Sequence, residues 1–272
     1  MPGNPTVSAI ILNYRTSQET LRCVEAIRKQ TMGDAIEIIV VDNASADGSG
    51  EKLRGHLGSS NVRLIELSRN VGYGQGNNAG IAAAHGTYVL IVNPDTTLER
   101  DAAERMVRFL DAHPETGIIG PQLRLPDGSI RDSFRTFPTL LDLCIKRTAL
   151  HFFFPGRMRR YLQWDASPHE TRAVDWVVGA CMMLRRSFFQ ELGGFDPRFF
   201  LFFEDTDLCR RSWTAGKQVV YFPEARAKDS AHRLSSGSFI ALFTKSIVRI
   251  HLRSAIRYFR KWETRKAEKA EK

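Results

Sequence analysis

Four short, nearly continuous apolar runs rich in β-branched residues, at 7–12, 36–41, 62–67 and 88–92, recur through the first third of the chain. Runs of this kind are what strands buried on both faces of a mainly parallel sheet require. Helical stretches lie between most of them. The first opens at Thr16-Ser17-Gln18-Glu19, a capping-box spacing, and continues through Leu21, Val24 and Ile27 on one face. This alternation predicts a doubly wound α/β sheet whose ligand sits beyond the carboxyl ends of the strands. Each run ends in polar residues: Asn13-Tyr14-Arg15, Asp42-Asn43-Ala44-Ser45, Ser68-Arg69-Asn70 and Asn93-Pro94-Asp95.

Further along, the pattern predicts a helix at 101–112, a short strand at 117–120, a strand pair within 174–184, a helix opening near Glu204 and a strand at 219–222. Residues 122–164 read as a basic, aromatic, loop-like stretch. The triplet Phe152-Phe153-Phe154 within it, between Arg147 and Arg157, fits either ordinary core or a loop facing an acceptor or a membrane. Cys23, Cys144, Cys181 and Cys209 lie far apart with no C-x-x-C pair, so reduced and mostly buried thiols are expected. The opening residues lack a basic n-region, and the apolar run after them is too short for a secretory or spanning segment, so a cytoplasmic location is expected.

The polar strand ends carry the candidate chemistry. Asp42, at the exit of a buried strand, can accept hydrogen bonds from a pyrimidine N3–H or a ribose hydroxyl, although an Asx turn with a helix N-cap explains the same residue types. Between Asn70 and Gly80 the glycines let backbone approach a ligand closely. Asn93-Pro94-Asp95 offers oxygen ligands suited to Mg²⁺ or Mn²⁺, or is simply a proline-stabilised turn. Glu204-Asp205-x-Asp207 follows an aromatic run, where apolar surroundings raise a carboxyl pKa toward what a general base needs; the same acids also suit the first turn of a helix. His232 is a candidate metal or diphosphate ligand, or a structural imidazole.

Taken in order, Asp42-Asn-x-Ser-x-Asp-Gly-Ser, Asn70-x-Gly72-x-Gly74-x-Gly76-x-Asn78-x-Gly80, Asn93-Pro-Asp95, Trp176-x-x-Gly179-Ala180, Glu204-Asp205-x-Asp207-Leu208 and His232 resemble family 2 glycosyltransferases of the GT-A fold, and among them bacterial rhamnosyltransferases. The likeness spans roughly residues 6–238, which it implies form one GT-A domain, Rossmann-like with a mainly parallel sheet flanked by helices, followed by a basic segment at 239–272. It implies an inverting transfer of a sugar, rhamnose from dTDP-rhamnose or a UDP-linked donor, to a hydroxyl of a lipid-linked or polysaccharide acceptor. Asn13, Tyr14, Arg15, Asp42, Asn43, Asn70, Gly74, Asn78, Asn93 and Asp95 would bind the donor. Asp95 and His232 would ligate a divalent metal, Mg²⁺ or Mn²⁺. Trp176, Gly179, Ala180, Glu204 and Asp207 would line the sugar and acceptor side, with Asp205 the general base. The chain departs from the family's Asp-x-Asp metal motif by placing Asn93 first.

The formal charge of +9 is concentrated: residues 245–272 hold ten Lys or Arg and three Glu, or +7. Lys245, Arg249, Arg253, Arg257 and Lys261 recur every four residues, with Val248, Leu252, Ile256 and Phe259 on another face. This predicts a basic amphipathic helix that either lies on an anionic membrane, making the protein peripheral on its inner face, or packs its apolar stripe on the main domain. A basic nucleic-acid binder is a competing reading; charge confined to the tail and acidic clusters at the strand ends oppose it, so no nucleic-acid partner is expected. The other competitor is a nucleotide-dependent oxidoreductase built on Gly74-x-Gly76-x-x-Ala79, a glycine motif that follows the third strand instead of opening the first βα unit.

Overall fold

The computed structural model describes residues 5–57, 62–230 and 246–270. The four apolar runs are strands β1 (Val7–Asn13), β2 (Ile36–Asp42), β3 (Val62–Glu66) and β4 (Tyr88–Val92), paired in parallel in the order β3-β2-β1-β4. Both faces are covered, as such a sheet demands. Val7, Ala9 and Ile11 of β1 join one buried cluster with helices α1 (Ser17–Arg28) and α4 (Ala102–Ala112). Ile10 and Leu12 join the opposite cluster, under α3 (Tyr73–Ala82). Helix α2 (Ser49–Leu57) links β2 to β3. Thr16 does precede α1, but its side chain makes no capping bond; its hydroxyl turns back to Asn13 Oδ1 at 3.2 Å.

Beyond β4 the sheet becomes mixed. Strand β5 (Thr97–Leu98) lies at the far edge on β11 (Gln218–Lys228), and β6 (Thr116–Arg124) pairs in parallel with β11. The expected strand pair within 174–184 does not form. Instead β9 (Trp176–Val177) pairs with β7 (Phe134–Arg135) in a separate two-stranded sheet, and β10 (Cys181–Arg185) inserts antiparallel between β4 and β6. Strand β8 (Arg172–Ala173) pairs antiparallel with β11, and α7 (Arg186–Glu191) follows β10. Nor are residues 122–164 merely loop. Helices α5 (Leu140–Arg147) and α6 (Pro155–Leu162) form a hairpin through a 3₁₀ turn at Ala149–Phe152, around Ile145, Met158 and Tyr161. The cysteines are all free; Cys144 is exposed and the other three buried.

Helix α8 (Glu204–Thr214) is backed by the C-terminal helix α9 (Ser246–Ala270), whose docking stripe is not the one its sequence suggests. Val248, Ala255, Tyr258 and Trp262 are buried, and the His251 ring sits 4.9 Å from that of Phe202, whereas Leu252 and Ile256 face solvent. The aromatic stripe wins because it meets Phe199 and Phe203 in one cluster and because α8 offers it polar partners. Asp207, fully buried, takes Lys261 Nζ at 2.7 Å, Arg211 Nε at 2.8 Å and Trp262 Nε1 at 3.0 Å. Lys261 also reaches Asp196 at 2.7 Å. Burial opposes ionisation of Asp196, yet hydrogen bonds from Arg198 and Lys261 prevail and hold its carboxyl well below the ordinary range. No helix among the described residues is long and apolar enough to cross a membrane.

Lys261→Met leaves the buried Asp207 and the partly buried Asp196 without their shared cation and is expected to cost about 3 kcal/mol in urea denaturation. Because the Asp196 carboxyl is depressed in the fold, its contribution is complete above about pH 4 and is lost as pH falls toward its folded value. Melting temperature should therefore decline in acid, and Asp196→Asn should flatten that decline.

Candidate functional site

Strands β1, β2 and β4 end at one edge, and antiparallel β10 begins there, so the polar strand ends meet the segment entering β10. Asn13 organises the first corner. Its Nδ2 donates to Asp42 Oδ1 at 2.5 Å and to Ser45 Oγ at 3.1 Å, while its Oδ1 accepts from Thr16 and from Thr20 Oγ1. Asp42 Oδ2 takes Ser45 N–H at 3.1 Å, so this buried carboxylate holds the turn that α2 follows. Asn43 bridges onward, donating to Asn70 Oδ1 at 2.9 Å and accepting from Val71 N–H at 2.9 Å. Tyr14 and Arg15 stand at the rim, the guanidinium 5.1 Å from the phenol ring centroid.

The glycines of α3 serve packing more than ligand approach. A Cβ at Gly76 would meet Leu12 Cδ1 at 2.4 Å, and one at Gly80 would meet Ile10 Cγ2 at 2.6 Å, so these two let the helix close on β1. Gly74 faces Phe195, and both amide atoms of Asn78 bind the Phe195 backbone at 2.9 Å. Gly74 and Asn78 thus hold α3 against the 195–203 segment, and the dinucleotide reading of these glycines loses its footing. Gly72 differs: its φ is +87°, and a Cβ there would lie 2.2 Å from the Phe200 carbonyl oxygen.

The turn after β4 is tied in at two points. Asn93 N–H donates to Ala180 O at 2.8 Å, and Ser230 Oγ donates to Asp95 Oδ2. Asn93 Oδ1 is buried and has no partner among the described residues. That orphaned oxygen and the half-buried Asp95 carboxylate fit a hard cation such as Mg²⁺ or Mn²⁺, which takes one or two protein oxygens and completes its shell with phosphate and water. No group of three His, Cys, Asp or Glu suited to a metal occurs among the described residues. His232 lies outside them.

Gly179 and Ala180 join these turns to α8. Gly179 N–H donates to Asp205 Oδ2 at 2.9 Å, and its carbonyl accepts Tyr73 Oη at 2.6 Å. Asp205 Oδ1 takes Thr206 N–H at 2.7 Å. Burial raises the Asp205 carboxyl above its ordinary pKa, against those two N–H groups and the nearby Arg135 cation. Glu204 is pushed up further, by burial and then by the Asp205 charge, and its Oε2 has no partner among the described residues. Two adjacent carboxyl groups at the head of α8 are thus both held above the ordinary carboxylate range. Asp207 lies apart, on the α9 side of the helix.

Trp176 is buried in β9, its Nε1 donating to Thr136 O at 2.9 Å. Across the β7–β9 ladder, Arg135 lies 5.4 Å from the Trp176 ring, and its charge acts on the Tyr161 phenol. Arg135 and Tyr73 are the residues that motif reading passes over. Arg135 sits in a stretch read as loop, and Tyr73 among glycines that drew attention away from it.

The family model for glycosyl transferase family 2 matches residues 8–193. The N-acetylglucosaminyl-diphospho-decaprenol L-rhamnosyltransferase of Mycobacterium tuberculosis is 32% identical over 207 residues, which are 70% of this chain; the chain spans 65% of that relative's length. Rhamnosyltransferase WbbL of Escherichia coli strain K12 is 29% identical over 195 residues, 69% of each chain. Among solved structures, GalNAc-T7 with UDP, GalNAc and Mn²⁺ aligns with a TM-score of 0.64 at 17% identity, over 88% of this chain and 47% of that one, a likeness of fold.

Gly72→Ala is expected to combine the roughly 1–3 kcal/mol cost of a backbone conformation open almost only to glycine, φ +87° with ψ 176°, with displacement of the 195–203 segment. Gly128 has φ +85° with nothing within 4 Å of a built Cβ, so Gly128→Ala provides a positive-φ reference without a clash. Thermal melts should find the Gly72 variant distinctly the less stable of the two.

Proposed function

We propose, from the premise that this chain belongs to glycosyl transferase family 2, that it is an inverting glycosyltransferase with Asp205 as general base. The observation that carries this reading is the half-buried Asp205 carboxylate, fixed by Gly179 N–H at the edge where β1, β2 and β4 end. A raised pKa makes such a carboxylate a stronger base toward a hydroxyl proton. The nearby Arg135 cation favours the ionised form of Asp205, against the burial that raises its pKa.

Asp205 removes the acceptor hydroxyl proton as the oxygen attacks the anomeric carbon from the face opposite the leaving nucleotide diphosphate, and a single displacement inverts that centre. The Gly179-Ala180 backbone and Trp176 border the sugar and acceptor side. On the donor side, Tyr14, Arg15, Asn70 and Asp42 line the nucleoside, with Asn13 and Asn43 holding those residues in place. Asn93 and Asp95 would hold Mg²⁺ or Mn²⁺, with His232 as a further ligand; a bound divalent ion offsets negative charge on the diphosphate.

The donor we infer is dTDP-L-rhamnose, with a UDP-linked sugar as the alternative, and the acceptor a hydroxyl of a lipid-linked or cell-surface polysaccharide. Support comes from relatives named as rhamnosyltransferases, one of them for a diphospho-decaprenol acceptor. Such an acceptor places the enzyme on the inner face of the cytoplasmic membrane, where residues 245–272 meet anionic lipid.

Asp205→Asn should lower transfer from dTDP-rhamnose by about 10²–10⁴-fold while leaving the thermal shift given by the donor nearly intact. Turnover like that of the wild type would remove Asp205 from the role. Because the ionised base is the active form, activity should fall as pH drops through the raised Asp205 pKa, above the range of an exposed aspartate. Arg135→Gln removes a charge that lowers this pKa, so the acid limb should move to higher pH. A limb that stays put would separate Arg135 from the base.

A further inference from the structure

The α5–α6 hairpin carries an apolar surface that the proposed chemistry leaves unused. Phe152, Phe153 and Phe154 at its tip are 75%, 76% and 49% exposed, and at its other end Leu140 and Leu141, which open α5, and Trp164, just past α6, are each more than half exposed. Its inward side is closed by its own small core, so the outward rings are not core residues awaiting a partner within the fold. Three consecutive exposed aromatic rings at one tip mark an interaction site.

Charge identifies the partner. Residues 140–164 contain Lys146, Arg147, Arg157, Arg159 and Arg160 against the single acid Asp142. Asp142 is already committed, capping α5 through Thr139 and binding Arg157 at 2.6 Å. A second copy docking here across a two-fold axis would set like charge against like charge. A leaflet with anionic headgroups complements both the rings and the basic residues around them.

The hairpin also leans on the cluster that docks α9. Leu143 of α5 packs on the cluster that docks α9, whose outward face carries Leu252 and Ile256 beside the exposed Arg249 and Arg253. The base of the hairpin touches the site: Thr136 N–H donates to Tyr161 O at 3.2 Å, next to Arg135.

We propose that the aromatic hairpin tip Phe152–Phe154 inserts into an anionic bilayer, with α9 as a secondary contact, and so sets the acceptor side of the cleft against the lipid surface. This deepens the membrane reading above and rests on it for its purpose. Its test needs no substrate, so its failure is distinguishable from failure of the transferase reading.

The full chain is floated with phosphatidylcholine vesicles with and without phosphatidylglycerol. Binding is expected with the anionic vesicles. Phe152→Ser/Phe153→Ser/Phe154→Ser should weaken it by a factor on the order of a hundred with an unchanged melting temperature, since the rings are exposed. In a second measurement, the indole introduced by Phe153→Trp should emit at shorter wavelength on vesicles and be quenched by lipids brominated in the acyl chain. Three results would each overturn the proposal: a triple variant that binds as the wild type does, an introduced indole that brominated lipid leaves unquenched, or loss of binding only in Leu252→Ser/Ile256→Ser. A chain that ignores vesicles but passes from dimer to monomer in the triple variant would assign the tip to a second copy instead.

Discussion

The site depends on the direction of β10. Because this strand runs antiparallel between β4 and β6, its first residue lies at the edge where the parallel strands end. Gly179 and Ala180 are thereby held on three sides, by Asn93 N–H, by Tyr73 Oη and by Asp205 Oδ2. Had β10 continued the parallel order, the chain would have entered the sheet at its opposite edge, and the β4 turn and the head of α8 would share no common partner. Gly179 suits the crossing because a Cβ there would already stand 3.2 Å from Asp205 Cβ, leaving little room for a larger side chain.

Helix α8 divides its acidic run between two tasks. Two positions along a helix of about 3.6 residues per turn place side chains on nearly opposite faces. Asp205 therefore looks to Gly179 while Asp207 looks to α9. A sequence motif written as Glu-Asp-x-Asp does not carry that division, which explains why Asp207 reads as a site residue and is found holding Lys261, Arg211 and Trp262. The same geometry makes α9 a part of the packing that positions the head of α8.

The first four strands were legible because burial on both faces demands continuous apolar residues, a requirement no loop or amphipathic helix shares. Asn93, Asp95 and Asp205 were legible as candidates because strand ends and a helix start concentrate polar residues at one edge. What escaped was whatever depends on which partner arrives. The strands near 174–184 look like a pair in sequence, yet each is too short to say whether its neighbour is the other or a distant strand, and β9 found Phe134–Arg135. In α9 two apolar stripes compete. Leu252 and Ile256 give the more regular one, but Tyr258 and Trp262 bury more surface and satisfy their polar atoms on Arg210 and Asp207. The α3 glycines suggested a ligand because closeness to a backbone is written identically whether the visitor is a phosphate or Leu12.

The aromatic cluster beneath α9 also answers a question of strain. Phe202 and Phe203 sit at φ +70° and +69°, a region costly for bulky residues, immediately before Glu204. Such a turn persists only where its surroundings over-determine it. Phe203 is packed against His251, Tyr258 and Phe259, and Ser254 Oγ donates to Leu201 O at 2.8 Å, so α9 grips the turn on both sides of its strained pair. The left-handed turn in its place aims the first two residues of α8 at the sheet edge, where Glu204 loses its water and burial pushes its carboxyl well above the ordinary range. A segment that composition marks as a basic tail thus holds, through its aromatic face, the strained turn from which the two carboxyl groups of the site project.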